Sequence, residues 1–346
     1  MSQTRTKPAI GILILIGIIL ILVCAYVLYQ DGVASQIKAR ICLPLPHAAP
    51  VCYRSTHQLP SRHITAMAIH PHGSRLAIGL NQAIQLWDVQ TMTAPRTFSG
   101  HLSRVTALAI SPDEKILASA SLDQTIRLWN LKTGHLQAIL QAGRVTCLVF
   151  SPNGHLLAAS SRYRIWPDGT LSQGGVQLWD VKDHRLRQTI GTDVYHTLAF
   201  SPQGQVLAAG SAKAHLWDLQ SGHLRHILDS GEPTALQFSP DGRTLLTGSS
   251  RTKLWQVKTG QLSQSMNFGA TDLTLNPNGQ FVAAPLGGTI YFWQLSPRKL
   301  LGTLRGSWYS NVSVQFGWQG RALVAVGTDG LQLWQTTPGP VPASAN

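Results

Sequence analysis

Ser35 and Lys38 stand three residues apart in "SQIK", and "KTG" occurs at 132–134 and 258–260. A serine hydroxyl beside an amine is the nucleophile-and-base pair of acyl transfer. Such a motif counts only in its structural context. Here Ser35 falls in a Pro-containing stretch, and both "KTG" triplets follow a Leu-Trp segment as turns, so the match is coincidence. The chain has no Gly-rich phosphate loop, no His-Glu-x-x-His and no Cys-x-x-Cys. Its 13 His lack metal spacing, and its 15 carboxylates sit mostly in turns. "NVS" at 311–313 falls in an expected inner strand and reads as a chance sequon. No catalytic residue, cofactor or metal is expected. The residues suited to recognition lie elsewhere. In "RYRIWPDGTLSQ", residues 162–173, Arg162 and Arg164 alternate with Tyr163 and Trp166. Arginines beside aromatics are the usual material of interface hot spots, and they also stack on sugars or hold anions.

The elements that must present these side chains come from a repeat. Tryptophan preceded by Leu or Phe occurs at Trp87, Trp129, Trp179, Trp217, Trp255, Trp293 and Trp334, with gaps of 42, 50, 38, 38, 38 and 41 residues. Each repeat begins with an apolar run such as "VTALAI", then turns at "SPDE", "SPNG" or "SPDG". A small-residue strand, the tryptophan strand, a turn and a weaker fourth strand follow. Four short strands, seven times, without helical periodicity, predict an all-β, seven-bladed β-propeller of four-stranded antiparallel blades. The "LWD" at Trp87, Trp179 and Trp217 and "SGH" at 99–101 resemble the WD-repeat proteins over residues 51–336. That resemblance implies a non-catalytic scaffold. It also implies a hydrogen-bond chain through His101, Ser119, Asp123 and Trp129 in repeat 2. A buried indole N–H and imidazole need partners in any case. Other repeats depart: Asn81 and Gln173 replace the Asp, and Gln follows Trp255, Trp293 and Trp334. These blades are expected to lose the polar network and keep the architecture. The Pro-rich end after Trp334 is a poor strand, so residues 51–58 are expected to complete blade 7.

The 50-residue gap before Trp179 places 162–173 between the second and third strands of repeat 3. That turn shares a face with the loops feeding each inner strand, where His63, Arg104, Arg144, Val194, Glu232, Gly269 and Ser310 stand. Arg104, Arg144, Arg162, Tyr163, Arg164 and Trp166 are therefore the expected partner-binding group. From residue 60 onward there are 23 Lys plus Arg and 14 Asp plus Glu, net +9. The charge favours anionic partners (an acidic protein, lipid headgroups or cell-wall polymers) or serves solubility alone, while nucleic acid lacks a recognition motif. The rival reading is an exported enzyme or glycan-binding module working through the central channel, with Glu232 and His63 as its thin candidates.

Ahead of the repeats, residues 9–29 hold no charge and as a helix would rise roughly 31 Å, the thickness of bilayer hydrocarbon. The expected plan is a tail over 1–8, a transmembrane helix over 9–29, a stalk over 30–50 containing Pro44, Pro46 and Pro50, the propeller over 51–336 and a tail over 337–346. The span outruns a signal-peptide core. Arg5 and Lys7 lean towards a cytoplasmic N-terminus with the propeller exported. Cys42 and Cys52 could then form a disulfide, while Cys24 and Cys147 read as inert.

Overall fold

The computed structural model describes residues 40–45, 48–59, 64–70, 72–93, 95–162, 164–165, 171–172, 174–305, 313–327 and 330–336. Seven sheets carry the fold, and each grows outward from its first strand. Blade 2 shows the pattern: Val105–Ile110, Ile116–Ser121, Thr125–Asn130 and Leu136–Gln141 pair in that order. The first three strands are rich in Ala, Ile, Val and Leu and bury both faces, as a sheet pressed between neighbours must. The fourth is largely exposed.

No four-stranded blade could hide these faces alone, so the blades hide one another. Ala68, Ile84 and Phe98 of blade 1 join Val105, Leu117 and Trp129 of blade 2 in one apolar cluster. Similar clusters join blades 2 and 3, 3 and 4, 4 and 5, and 5 and 6. Blade 7 reaches blade 1 through Val324 and Leu333 packed on Leu76 and Ile78. Blades 6 and 7 meet at Phe281 and Phe316, ring centroids 5.7 Å apart. The ring is closed.

Hydroxyls on the inner strands add a second tie. Thr106 donates to Val145 O of the next blade at 2.7 Å, Thr146 to Tyr195 O at 3.1 Å and Thr234 to Ala270 O at 3.1 Å. At the seam between blades 6 and 7 a carboxylate takes this role. Asp272 accepts from Ser313 Oγ at 2.6 Å and Val314 N at 2.9 Å. Burial pushes the Asp272 carboxyl up, against those hydrogen bonds.

Blade 7 closes with a strand from the other end of the chain. Ala48–Leu59 pairs with Gly330–Thr336, from Tyr53 opposite Thr336 to Leu59 opposite Leu331, with a shift in register between Ser55 and His57. This includes residues 51–58, the stretch assigned to closure from sequence. The structure adds a fifth strand, Arg40–Leu45, outside it. The stretch expected as a stalk over 30–50 is thus folded from Arg40 onward. Pro44 does not prevent this because an edge strand needs no donor on its outer side, and it sits at a break in register between Leu43 and Leu45. Ile41 and Leu43 are buried, and Gly302 of blade 6 leaves room for Ile41.

Cys42 and Cys52 face each other across this hairpin and are joined by a disulfide, Cα atoms 4.0 Å apart. By loop-closure entropy a ten-residue separation contributes about 3 kcal/mol. Cys42→Ser should therefore lower the unfolding free energy by up to about 3 kcal/mol, read as a shift in denaturant midpoint. Adding reductant to the parent should reproduce the shift and leave the variant unmoved.

The expected membrane helix over 9–29 lies outside the described residues. Among the described residues, no helix is long and apolar enough to cross a membrane.

Candidate functional site

In blade 2, His101, Ser119, Asp123 and Trp129 come together as a chain of hydrogen bonds. Trp129 Nε1 donates to Ser119 Oγ at 2.8 Å, and Ser119 Oγ lies 2.8 Å from His101 Nε2. His101 Nδ1 lies 2.8 Å from Asp123 Oδ2. One proton arrangement serves every atom: the indole donates to the serine oxygen, the hydroxyl donates to Nε2, and Nδ1–H donates to the carboxylate. Asp123 also accepts Leu102 N at 2.9 Å, Thr125 N at 3.0 Å and Thr125 Oγ1 at 2.7 Å. Desolvation pushes Asp123 up, but the bonds from Thr125, His101 and Leu102 outweigh it and hold the carboxyl at about 2. Burial lowers His101 from its ordinary value, with Asp123 pulling the other way. The group anchors the loop that carries Leu102, Ser103 and Arg104.

Other blades solve the same problem locally. Trp87 Nε1 donates to Gln85 at 3.3 Å and Trp179 Nε1 to Gln177 at 3.2 Å. Two residues apart on a strand lie on one face, so a Gln at that spacing reaches the indole. In blade 5 Thr247, the register counterpart of Ser119, accepts from Trp255 at 3.1 Å. Blade 4 has its own group: Tyr195 Oη lies 2.9 Å from His215 Nδ1, and Ser211 Oγ donates to Asp193 at 3.3 Å. The loss of polar partners expected for the divergent blades is therefore partial.

On the face of the strand-feeding loops, Arg104 and Arg144 occupy matching places in adjacent blades. Leu122 N donates to Arg104 O at 2.9 Å and Arg162 N to Arg144 O at 3.1 Å. Each pair of hydrogen-bonded backbones fixes one loop against the turn between the second and third strands. Arg104, Arg144 and Arg162 are all exposed. The insertion in blade 3 forms a short ladder, Arg164–Ile165 against Leu171–Ser172. Tyr163 and Trp166 lie outside the described residues, as does His63. Sequence reasoning missed Leu102, which is 80% exposed beside Arg104, and Leu122, also exposed. The signal was an apolar residue inside an otherwise polar "GHLSR" loop.

Of the two channel candidates, His63 lies outside the described residues and Glu232 is described. Glu232 is exposed at a notch of about 390 Å³ lined by Thr234, Ser249, Gly269 and Thr271. Asp272, unforeseen, already accepts three hydrogen bonds from Ser313, Val314 and Leu273. Among the described residues no three His, Cys, Asp or Glu side chains gather at a metal position.

A sequence profile of the IFT122 first β-propeller matches residues 63–335. "U3 small nucleolar RNA-associated protein 21" of Saccharomyces cerevisiae is 40% identical over 99 residues, 28% of this chain and 10% of that protein. "Set1 complex component swd2" of Schizosaccharomyces pombe is 34% identical over 87 residues, 25% of this chain and 24% of that protein. The chain thus aligns with a tenth to a quarter of these relatives' lengths. Among solved structures, the Cps50 (Swd1) β-propeller domain of Myceliophteria thermophila superposes with a TM-score of 0.69 at 19% identity, covering 82% of this chain and all of that one. That likeness shows the fold.

These findings overturn the expected address, a single-pass membrane protein with its propeller exported. The relatives are named for a small nucleolar RNA and for the Set1 complex. Among the described residues no membrane-crossing helix is present. An apolar run of bilayer length satisfies the length condition for spanning, and length alone does not set a destination.

Proposed function

The chain belongs to the IFT122 first β-propeller family, and from that premise we propose that this WD-repeat propeller is a non-catalytic scaffold. It docks an acidic protein partner on the face bearing the blade 3 insertion. Names such as "Set1 complex component" and "Target of rapamycin complex subunit" support a life within assemblies. The observation that carries the reading is the alignment of exposed Arg104, Arg144 and Arg162 along two adjacent blades, beside the exposed Leu102. Rigid blades hold these loops still, so little ordering entropy is lost on docking. Arginines supply directional contacts to carboxylates, and the leucine supplies a desolvated anchor. The sequence expectation adds Tyr163, Arg164 and Trp166 of the insertion to this surface.

Replacing Arg104, Arg144 and Arg162 together by Glu should weaken capture of the partner by about 30-fold or more, a loss of roughly 2 kcal/mol. The melting temperature should stay within about 2 °C, because all three side chains are exposed. A second variant changes Tyr163, Arg164 and Trp166 to Ala. Affinity-capture mass spectrometry with both, against the parent, reads the result. An unchanged set of partners for both variants rules out this face.

A further inference from the structure

The outer edges of the blades differ in how they turn away a neighbouring strand. An open edge offers unpaired N–H and C=O groups, and proteins blunt it with charge, brevity or a covering element. Blade 7 is covered by Arg40–Leu45. Blade 1 ends in a three-residue strand, Arg96–Phe98. Blade 3 carries Arg185 and Arg187 on its outer strand, blade 4 Arg225 and blade 6 Lys299. Blade 5 has an uncharged outer strand, but Arg298 donates to its Ser265 O at 3.1 Å. Blade 2 has only the bulge between Leu136 and Ala138, which blades 3 to 6 share at the matching place. Its outer strand, Leu136–Gln141, reads LQAILQ: six residues, no charge, no proline, and no covering strand among the described residues.

A comparison within the chain sharpens this. Opposite the residue two before the tryptophan stand Ile139, Thr189, Ile227, Ser265 and Thr303 in blades 2 to 6. Three blades carry a hydroxyl there, so the fold accepts one. In blade 2 the position is Ile139, 46% exposed, near Leu136, 40% exposed.

We propose that a second copy of this chain pairs antiparallel on the outer strand of blade 2, on a two-fold axis through Ile139. Directly opposed residues in an antiparallel pair point to one face, so a two-fold pairing centres on a residue. Centred on Ile139, it sets Ile139 against itself and Ala138 against Leu140, short of the bulge at Gln137. Apolar meets apolar, as an isologous contact requires. The self-complementary register selects a second copy as the occupant, and charge selects the place. Two chains of net charge +13 repel over most of their surfaces. The uncharged edge is where two copies approach at least electrostatic cost, and an acidic partner would gain nothing from it.

Sedimentation equilibrium on the full chain, at low and high salt, tests this. A concentration-dependent dimer is expected, tightening with salt as the repulsion is screened. Ile139→Thr, which installs the residue type of Thr189 and Thr303, should weaken it about ten-fold, and Ile139→Lys should abolish it. Ile139→Cys should cross-link two copies under air oxidation, whereas Thr189→Cys should not. Melting curves matching the parent establish that the variants fold. A chain that stays monomeric at all concentrations overturns the inference. So does a dimer that Ile139→Lys leaves intact.

Discussion

A chain that begins at Pro60, lacking the closing strand and the strand outside it, should lose its single cooperative unfolding transition or melt more than about 10 °C lower. Three consequences add up. Ile41, Leu43 and Tyr53 leave buried positions, each worth roughly 1.5–3 kcal/mol. Gly330–Thr336 becomes an open edge next to the buried Trp334. Gly320 O loses the Tyr53 hydroxyl, now 2.5 Å away. Against a typical total of about 5–15 kcal/mol, that loss is most of the stability. The damage should begin in blade 7, whose inner contacts to blade 1 (Val324 and Leu333 on Leu76 and Ile78) would then be held from one side only. Calorimetry and limited proteolysis, with blade 7 cleaved first, check it. Tyr53→Ala alone should cost about 3–5 kcal/mol. A truncated chain that melts with the parent would mean the wheel does not depend on its clasp.

The seven blades were legible because a repeat writes its internal grammar again and again: the tryptophan in all seven, the Pro and Gly of the first turn together in five, the small residues of the second strand. The repeat shows which residues recur and not what they touch in the next blade. Gly279 and Gly320 read as turn residues, and they do take positive φ, +70° and +80°. Each also lies against the proline of the preceding blade, where a Cβ would sit 2.8 Å from Pro240 and 2.9 Å from Pro277. Proline and glycine in one turn therefore serve two different seams. Asp272 was invisible for the same reason. It replaces a threonine's tie by a carboxylate's, and only its neighbour Ser313, 41 residues on, explains it.

The fifth strand was hidden by its composition. Pro44, Pro46 and Pro50 argue against a central strand. At an edge the argument fails, because a missing N–H faces no partner. The alternation Ile41, Leu43 and Tyr53, all buried, was the available signal. For the candidate face, counting from the inner strand located Arg104 and Arg144, since register transfers from blade to blade. It could not say that Leu102 stands out beside them, because exposure of one loop side chain depends on the neighbouring turn.

Asp123→Asn should lower stability by about 2–4 kcal/mol, near 5–10 °C in melting temperature, although it changes one atom's identity. The carboxylate accepts four donors: His101 Nδ1 and Leu102 N on one oxygen, Thr125 N and Thr125 Oγ1 on the other. An amide offers one oxygen, and its own two hydrogens face two of those donors. The two donors are then left unsatisfied, and the imidazole and indole behind them lose their alignment. The pH dependence separates this from generic damage. Asp123 is held at about 2 in the fold, below roughly 3.9 in the unfolded chain. Its stabilisation is therefore complete above about pH 4 and is lost as pH falls through about 2. His101, lowered by burial, adds a separate loss that starts below about pH 6.5, where the unfolded imidazole takes up its proton first. Melts between pH 7 and 2 should show both steps in the parent and a weakened step below pH 4 in Asp123→Asn. Asp113→Asn, at an exposed turn that binds Ser111 and Lys115 N, should cost about 1 kcal/mol or less. Equal costs at the two positions would show that the buried network contributes no more than an ordinary surface turn.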